Sequence, residues 1–285
     1  MNLNCFKRIT ALILAAFLTT GCTATFTYNQ LDWLIPWWVD SYMDITREQR
    51  RLLQDQLEPA LKWHREEELA RYDQWLAEIE AGIGTPVSQR QVRGWIEEVI
   101  AAAERIEESM LQVAVDFGAT VSDGQMEEFI DNMWEKQREY EDEFLSRSDQ
   151  EYVDDNADSL SEFSSKVAGK LTPEQRETLR QTARSMRRFD SAWLNERDLW
   201  LQSLERHLQR KPGWQQAVME SWTARQATRT VEYRSILDHN LATISAGFAE
   251  VLNGMDEKQQ AHAFREIAKL RSKLAKLRNQ GTPDR

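Results

Sequence analysis

Few side chains in this sequence have the type and spacing that chemistry demands, and their neighbours rule most of them out. The four histidines are His64, His207, His239 and His262. A di-iron helix bundle needs Glu three residues before His, because that spacing puts both ligands on one helix face. Here those positions hold Leu61, Leu204, Ile236 and Gln259. His-Glu-x-x-His, the zinc-hydrolase pair with its general base, does not occur. The stretch GIGTPV at 82–87 lacks the third glycine of a dinucleotide loop, and no strand pattern precedes it. Neither a Gly-x-Ser-x-Gly elbow nor a phosphate loop occurs. Carboxylates are many, but charge runs at helical spacing make a solvated face. The expectation is a protein that is not an enzyme and holds no metal and no cofactor.

Two other constellations could bind. Residues 127–162 carry 14 acidic and three basic side chains. After them come Arg176, Arg180, Arg184 and Arg188, four apart, which form one stripe if a single helix carries them. Such a stripe can pair with acidic helices folded beside it. Alternatively it is a site for an anionic partner such as a lipid headgroup or glycan. A second basic stretch, AKLRSKLAKLRNQ at 268–280, is expected to be more exposed. The chain also has 11 tryptophans, which separate into two groups. Trp193, Trp200, Trp214 and Trp222 fall on helix seams and belong to a core. Trp33, Trp37 and Trp38 stand in FTYNQLDWLIPWWVDSYM, which either starts the core, sits at a membrane interface or fills a partner groove.

The start of the chain sets where such binding takes place. Lys7 and Arg8 precede an apolar run, Ile9 to Leu18, that is too short to span a bilayer and fits a secretory signal. LTTGC follows and resembles the lipobox of bacterial lipoproteins, with Thr19 where Leu is commonest. That resemblance implies cleavage before Cys22 and acylation of its thiol. Thr23 rather than Asp comes next, which by the sorting rule of enteric lipoproteins implies the outer membrane. Phe26 would then lie at most about 14 Å along the chain from the bilayer surface. Cys5 leaves with the signal, so the fold must hold in an oxidising compartment without a disulfide. A net charge of −11 makes nucleic acid a poor partner.

The elements that position these residues are helical throughout. Six prolines and 11 glycines are few for 285 residues, and no Val/Ile/Thr-rich alternation appears. The class is all-α, with long antiparallel helices in an elongated bundle. One device marks the helix starts repeatedly. Thr46 and Gln49, Ser88 and Gln91, Ser122 and Gln125, Thr172 and Gln175, and Asp256 and Gln259 each place a capping oxygen three residues before Gln. Val87 with Val92 and Val121 with Met126 add hydrophobic staples, and Pro173 sits at a first helical position. Helices are expected over 47–81, 89–119, 123–147, 149–168, 173–210, 213–253 and 257–278, with Pro59 kinking the first. The helix 173–210 would be on the order of 55 Å long. Leu179, Met186, Trp193 and Trp200 make its seam, seven apart, and the seam of 213–253 thins at Ala224, Ala227 and Arg234. The organisation is a signal at 1–21, an aromatic membrane-proximal segment at 22–45, a helical periplasmic domain at 46–279 and a disordered tail at 280–285.

The lipobox, YNQLDWLIPWWVDSYMDIT and the Gln-marked helix starts together resemble an uncharacterised family of proteobacterial lipoproteins, a domain of unknown function. The likeness implies a lipid-anchored envelope protein with a helical body on the periplasmic face of the outer membrane, and it supplies no activity. Separately, LTPEQRETLR at 171–180 is similar to the Leu-Thr-x-x-Gln motif of small periplasmic stress chaperones that form helical cradles. Those carry two copies, whereas ITREQ has Ile45 for Leu and MDEKQ departs further. The expected role is binding or scaffolding, with a cradle-like chaperone and an enzyme whose site no spacing reveals as alternatives. The membrane, through the N-terminal lipid, and a protein or anionic envelope component are the expected partners; the oligomeric state stays open.

Overall fold

The computed structural model of the protein describes residues 22–280. The expected signal, 1–21, and the last five residues of the expected tail lie outside them. No strand occurs among the described residues. In chain order the helices are α1 (Cys22–Tyr28), α2 (Leu31–Asp40), α3 (Arg47–Trp63), a π turn (His64–Glu68), α4 (Leu69–Gly82) and α5 (Gln89–Gly118). They continue with α6 (Asp123–Leu145), α7 (Asp149–Ala168), α8 (Pro173–Ser185), α9 (Asp190–Leu208), α10 (Trp214–Thr228), α11 (Val231–Asn253) and α12 (Glu257–Asn279).

All five expected helix starts are capping boxes with both hydrogen bonds formed. A sixth, Ser148 with Glu151, opens α7. Four of the glutamines do more, because they join helix starts in pairs. Gln49 and Gln125 exchange amide hydrogen bonds, Nε2 of each donating to Oε1 of the other at 3.0 and 2.9 Å. Gln175 and Gln259 do the same at 3.0 and 2.8 Å. Each amide also reaches the loop before its partner's helix: Gln49 to the Thr120 carbonyl, Gln125 to Asp44, Gln175 to Gly254 and Gln259 to Lys170. The fifth start is clamped differently. The Asn253 side chain accepts from Val87 N–H at 2.8 Å and donates to its carbonyl at 2.9 Å. The staple valines and Met126 are buried as the sequence implies.

Two expected long helices are broken, and side chains from elsewhere make the breaks. The span 173–210 is interrupted between Ser185 and Asp190. There Asn240 of α11, buried, accepts from Arg187 N–H and donates to Arg187 C=O, both at 2.8 Å. That pair replaces the helical bonds the Arg187 peptide would otherwise need. The expected seam of Leu179, Met186, Trp193 and Trp200 is therefore not one stripe. Leu179 packs in the core of α4, α7, α8 and α12, whereas Trp193 packs with Tyr140 and Tyr233. The span 213–253 is interrupted at Arg229 and Thr230, where Thr230 Oγ1 caps Tyr233 N–H and Glu196 accepts from Thr230 N–H at 2.6 Å. Thr230 lacks Gln or Glu three residues on, so it escapes the capping-box pattern. Ala224, Ala227 and Arg234 are exposed, as the thinning seam implies.

Pro59 sits inside α3 without ending it. A π turn follows, in which Leu69 N–H bonds the carbonyl five residues back, at His64. Such single turns widen a helix and re-aim its side chains. Two groups of helices share α5. Its first half packs through Val92 against α11, and its second half packs through Phe117 against α3. Gly247 lets α11 lie against α8, since a Cβ there would collide with the Thr182 hydroxyl.

The 22–45 segment is no loose lead-in. Tyr28, Leu31, Tyr42, Met43 and Ile45 are buried in the bundle. Gln280, where the tail was expected to begin, accepts from Asn29 and from Arg65 at 3.1 Å each.

Candidate functional site

The helices α2, α3, α5, α6, α9 and α10 do not close on one another completely. Between them lies a cavity of about 200 Å³. Leu31, Ile35 and Trp38 of α2 form one wall, at the helical spacing of one face. Leu57 and Leu61 of α3, the Ile106–Phe117 stretch of α5, Met126 and Met133 of α6, Leu204 of α9 and Trp222 of α10 complete it. Ala114, small and exposed, belongs to the lining as well. The lining is aliphatic, aromatic and methionine-rich, a composition that adapts to varied apolar shapes.

Polar groups touch this cavity at a few places only. His64, buried at the π turn, is bracketed by two phenols. Its Nδ1 lies 2.8 Å from the Tyr28 hydroxyl and its Nε2 3.3 Å from that of Tyr72. Burial, with the Arg65 charge beside it, lowers its pKa to about 4, so the ring is neutral at neutral pH. Burial likewise pushes both tyrosines well above their ordinary value. Arg65 lies over the Tyr28 ring and holds Asn29 Oδ1 at 3.0 Å and the Leu277 carbonyl at 2.8 Å. Glu68, with no exposed surface, takes Arg105 bidentately at 2.8 and 3.0 Å. This network ties α1, α5 and α12 to the π turn. At the other end Ser203 Oγ lies 3.4 Å from His207 Nε2 and 3.2 Å from Ser221 Oγ. No carboxylate is hydrogen-bonded to His207 among the described residues. No group of His, Cys, Asp and Glu that could hold a metal occurs among them either.

A smaller cavity, about 50 Å³, shares Trp200 and Trp222 with the first. Arg197, Arg225 and Arg229 line it with Trp193, Tyr233 and Glu196. Arg225 lies over Trp222 at 3.8 Å and is paired with Glu107 of α5. Burial pushes the Glu107 carboxyl up against the pull of Arg225, and it pushes the Arg225 guanidinium down.

The expected site residues are scattered relative to these cavities. Cys22 is the first residue of α1. The three expected membrane-proximal tryptophans divide: Trp33 and Trp37 face out, at 52% and 58% exposure, whereas Trp38 turns in, lines the cavity and packs against Tyr42 with the two rings tilted. Of the core tryptophans, Trp193 and Trp222 are buried, while Trp200 and Trp214 are half-buried cavity walls. The arginine stripe is not one face, because α8 ends at Ser185. Arg176 donates to the Leu171 carbonyl, and Arg180 and Arg184 pair with Glu177 of their own helix. Only Arg188 reaches the acidic helices. It binds Asp149, Asp190 and the carbonyls of Phe144 and Arg147. The basic stretch 268–280 is packed too, with Leu274 and Leu277 buried and Arg271 bridging Asp73 and Glu80 of α4. It repeats every three to four residues, so one of its faces is core.

Sequence reasoning missed the cavity, since its lining reads as ordinary core and only packing leaves it unfilled. Among known families, a model described as a family of unknown function, DUF6279, matches residues 41–234, the stretch that supplies all its walls except α2. Neither a curated protein nor a solved structure matches the chain.

Proposed function

The chain belongs to the DUF6279 family, whose function is unknown, so its role has to be argued from its own residues; we propose that it is a lipid-anchored envelope protein that works by binding an apolar molecule or chain segment. The observation that carries this reading is the cavity beneath α2. An engineered cavity of about 150 Å³ stays dry and takes up benzene, and this one is larger at about 200 Å³. Apolar walls that do not close on one another forgo part of the contact a filled core would make. An apolar occupant would supply that contact.

The anchor belongs to the same proposal. Acylation at Cys22 would place α1 and α2 on the bilayer, at the periplasmic face of the outer membrane. Phe26, Trp33 and Trp37, all more than half exposed, would then sit at the interface that tryptophan favours. The opposite face of α2 lines the cavity, so an apolar ligand would have a short path from membrane to cavity. No described helix is long and apolar enough to cross a membrane, and the attachment proposed is the lipid. Chaperone action has less support, because Thr172 and Gln175 of the Leu-Thr-x-x-Gln stretch are occupied at a helix start.

The test uses the chain from residue 22 onward with Cys22→Ser, which holds every described element and lacks acyl chains. A neutral apolar dye, N-phenyl-1-naphthylamine, should bind it with enhanced fluorescence. Ala114→Phe, a large side chain at an exposed position of the lining, should abolish that binding while the protein still melts cooperatively. A chain that leaves the dye dark, or an Ala114→Phe variant that binds it equally, would end the cavity reading. The anchor is tested apart, by metabolic labelling with an alkynyl fatty acid, which wild type should incorporate and full-length Cys22→Ser should not.

A further inference from the structure

We propose that the molecule held in this cavity is a single-chain amphiphile with an anionic head, its tail between α2, α3 and α5 and its head against Arg225 and Arg229. The inference rests on the cavity reading above and adds the chemistry of the ligand.

The apolar cavity and the arginine-lined one are neighbours, with Trp200 and Trp222 as the walls they share. A molecule filling the two would therefore be apolar along most of its length and polar at one end. The sign of that end follows from the charges. Arg197, Arg225 and Arg229 line the small cavity against a single lining carboxylate, Glu196. That carboxylate already accepts from Thr230 N–H. Glu107 answers Arg225, whereas Arg229 makes no ion pair among the described residues. Donor capacity is also left over. Arg225 Nε is buried and has no hydrogen-bond acceptor, which is a costly state for a guanidinium N–H. A carboxylate or phosphate oxygen would satisfy it once the side chains that cover it shift to admit the head. Four aromatic residues surround the same space, so a quaternary ammonium head has to be weighed. The arginines exclude it: Arg225 already covers the Trp222 face at 3.8 Å and Arg229 the Tyr233 face at 5.2 Å. A further cation would meet like charge at close range.

The arginines occur in a stretch whose breaks aim them. Arg229 sits in the two-residue interruption between α10 and α11, with extended backbone that a continuous helix would not have allowed. The exposed end of α10 and the cap at Thr230 thus serve to turn Arg229 toward Tyr233.

The experiment is competition against N-phenyl-1-naphthylamine on the chain from residue 22 with Cys22→Ser. Laurate, dodecyl phosphate and dodecyltrimethylammonium, all below their micellar concentrations, are the competitors. Charge-assisted hydrogen bonds discriminate by about tenfold or more. Laurate or dodecyl phosphate should therefore displace the dye at concentrations about tenfold lower than the ammonium. The better of the two anions separates a fatty acid from a phospholipid-derived ligand. Arg229→Ala should erase the anionic preference and leave the affinity for the neutral dye unchanged, and Arg229→Lys should keep most of the preference. Equal displacement by anion and cation, or an Arg229→Ala protein that still prefers anions, would overturn the proposal while the cavity reading stands. A wild-type cavity that takes no dye would sink both.

Discussion

Replacing Gln175 with Ala should destabilise the protein far more than its place in a capping box suggests. A cap alone is worth about 1 kcal/mol, and Thr172→Ala should cost about that. The Gln175 side chain does more than cap. Its Oε1 accepts from Thr172 N–H at 2.9 Å and from Gln259 Nε2 at 2.8 Å, and its own Nε2 donates to Gln259 and to the Gly254 carbonyl. Both glutamines are 5% exposed, so water does not replace what is lost. Removing one leaves the other's amide half-satisfied in the core, where an unsatisfied polar group costs about 1–3 kcal/mol beyond the bond itself. The expected loss for Gln175→Ala is about 3–4 kcal/mol. Gln49→Ala removes the corresponding side chain at the other pair, where both glutamines are only half-buried, and should cost about 1–2 kcal/mol. Urea unfolding with unchanged slope measures each difference. The double variant Gln175→Ala with Gln259→Ala should cost less than the sum of the singles, by about 1–2 kcal/mol. If Gln175→Ala costs no more than Thr172→Ala, or if the two changes add without coupling, the paired amides are incidental and the reasoning fails.

Three further outcomes follow from other residues. His64 has a folded pKa of about 4 against an ordinary value near 6.5. The unfolded chain therefore binds the extra proton first, and stability is complete above about pH 6.5 and falls as pH drops toward 4, by at most about 3 kcal/mol. In wild type that fall should already show between pH 6.5 and 5, above most carboxylates, and His64→Gln should flatten it; equal slopes there would refute the assignment. Asn240→Leu leaves the Arg187 N–H without its partner and its C=O with the Tyr152 hydroxyl alone, so it should cost about 1–3 kcal/mol and speed hydrogen exchange at the Arg187 amide; an unchanged exchange rate would show that α8 and α9 break for another reason. Arg180→Ala with Arg184→Ala removes exposed pairs within one helix, and thermal melting should move by less than about 0.5 kcal/mol equivalent, whereas a larger loss would mean that these arginines have partners beyond Glu177.

What could be read from the sequence was whatever depends on a few consecutive residues. Helical class follows from composition and period. All five Gln-marked starts follow from a cap and an amide three residues apart, whose geometry is set by one turn of backbone. The division of α2 is not read there: Trp33, Trp37 and Trp38 stand as one aromatic group, and only the folded helix puts Trp38 inside with Leu31 and Ile35. What the sequence could not show was anything supplied by a residue far along the chain. Nothing in SMRRFD at 185–190 ends a helix; Asn240, about 50 residues later, does so by offering the Arg187 peptide a better partner. No local pattern couples Gln49 to Gln125 or Gln175 to Gln259, because each pair meets only when two helix starts are folded side by side. The cavity is the furthest from view. Its walls are the same leucines, methionines and tryptophans that fill any core, and whether such side chains meet or leave a void depends on the distances between six helices, which only the tertiary packing sets.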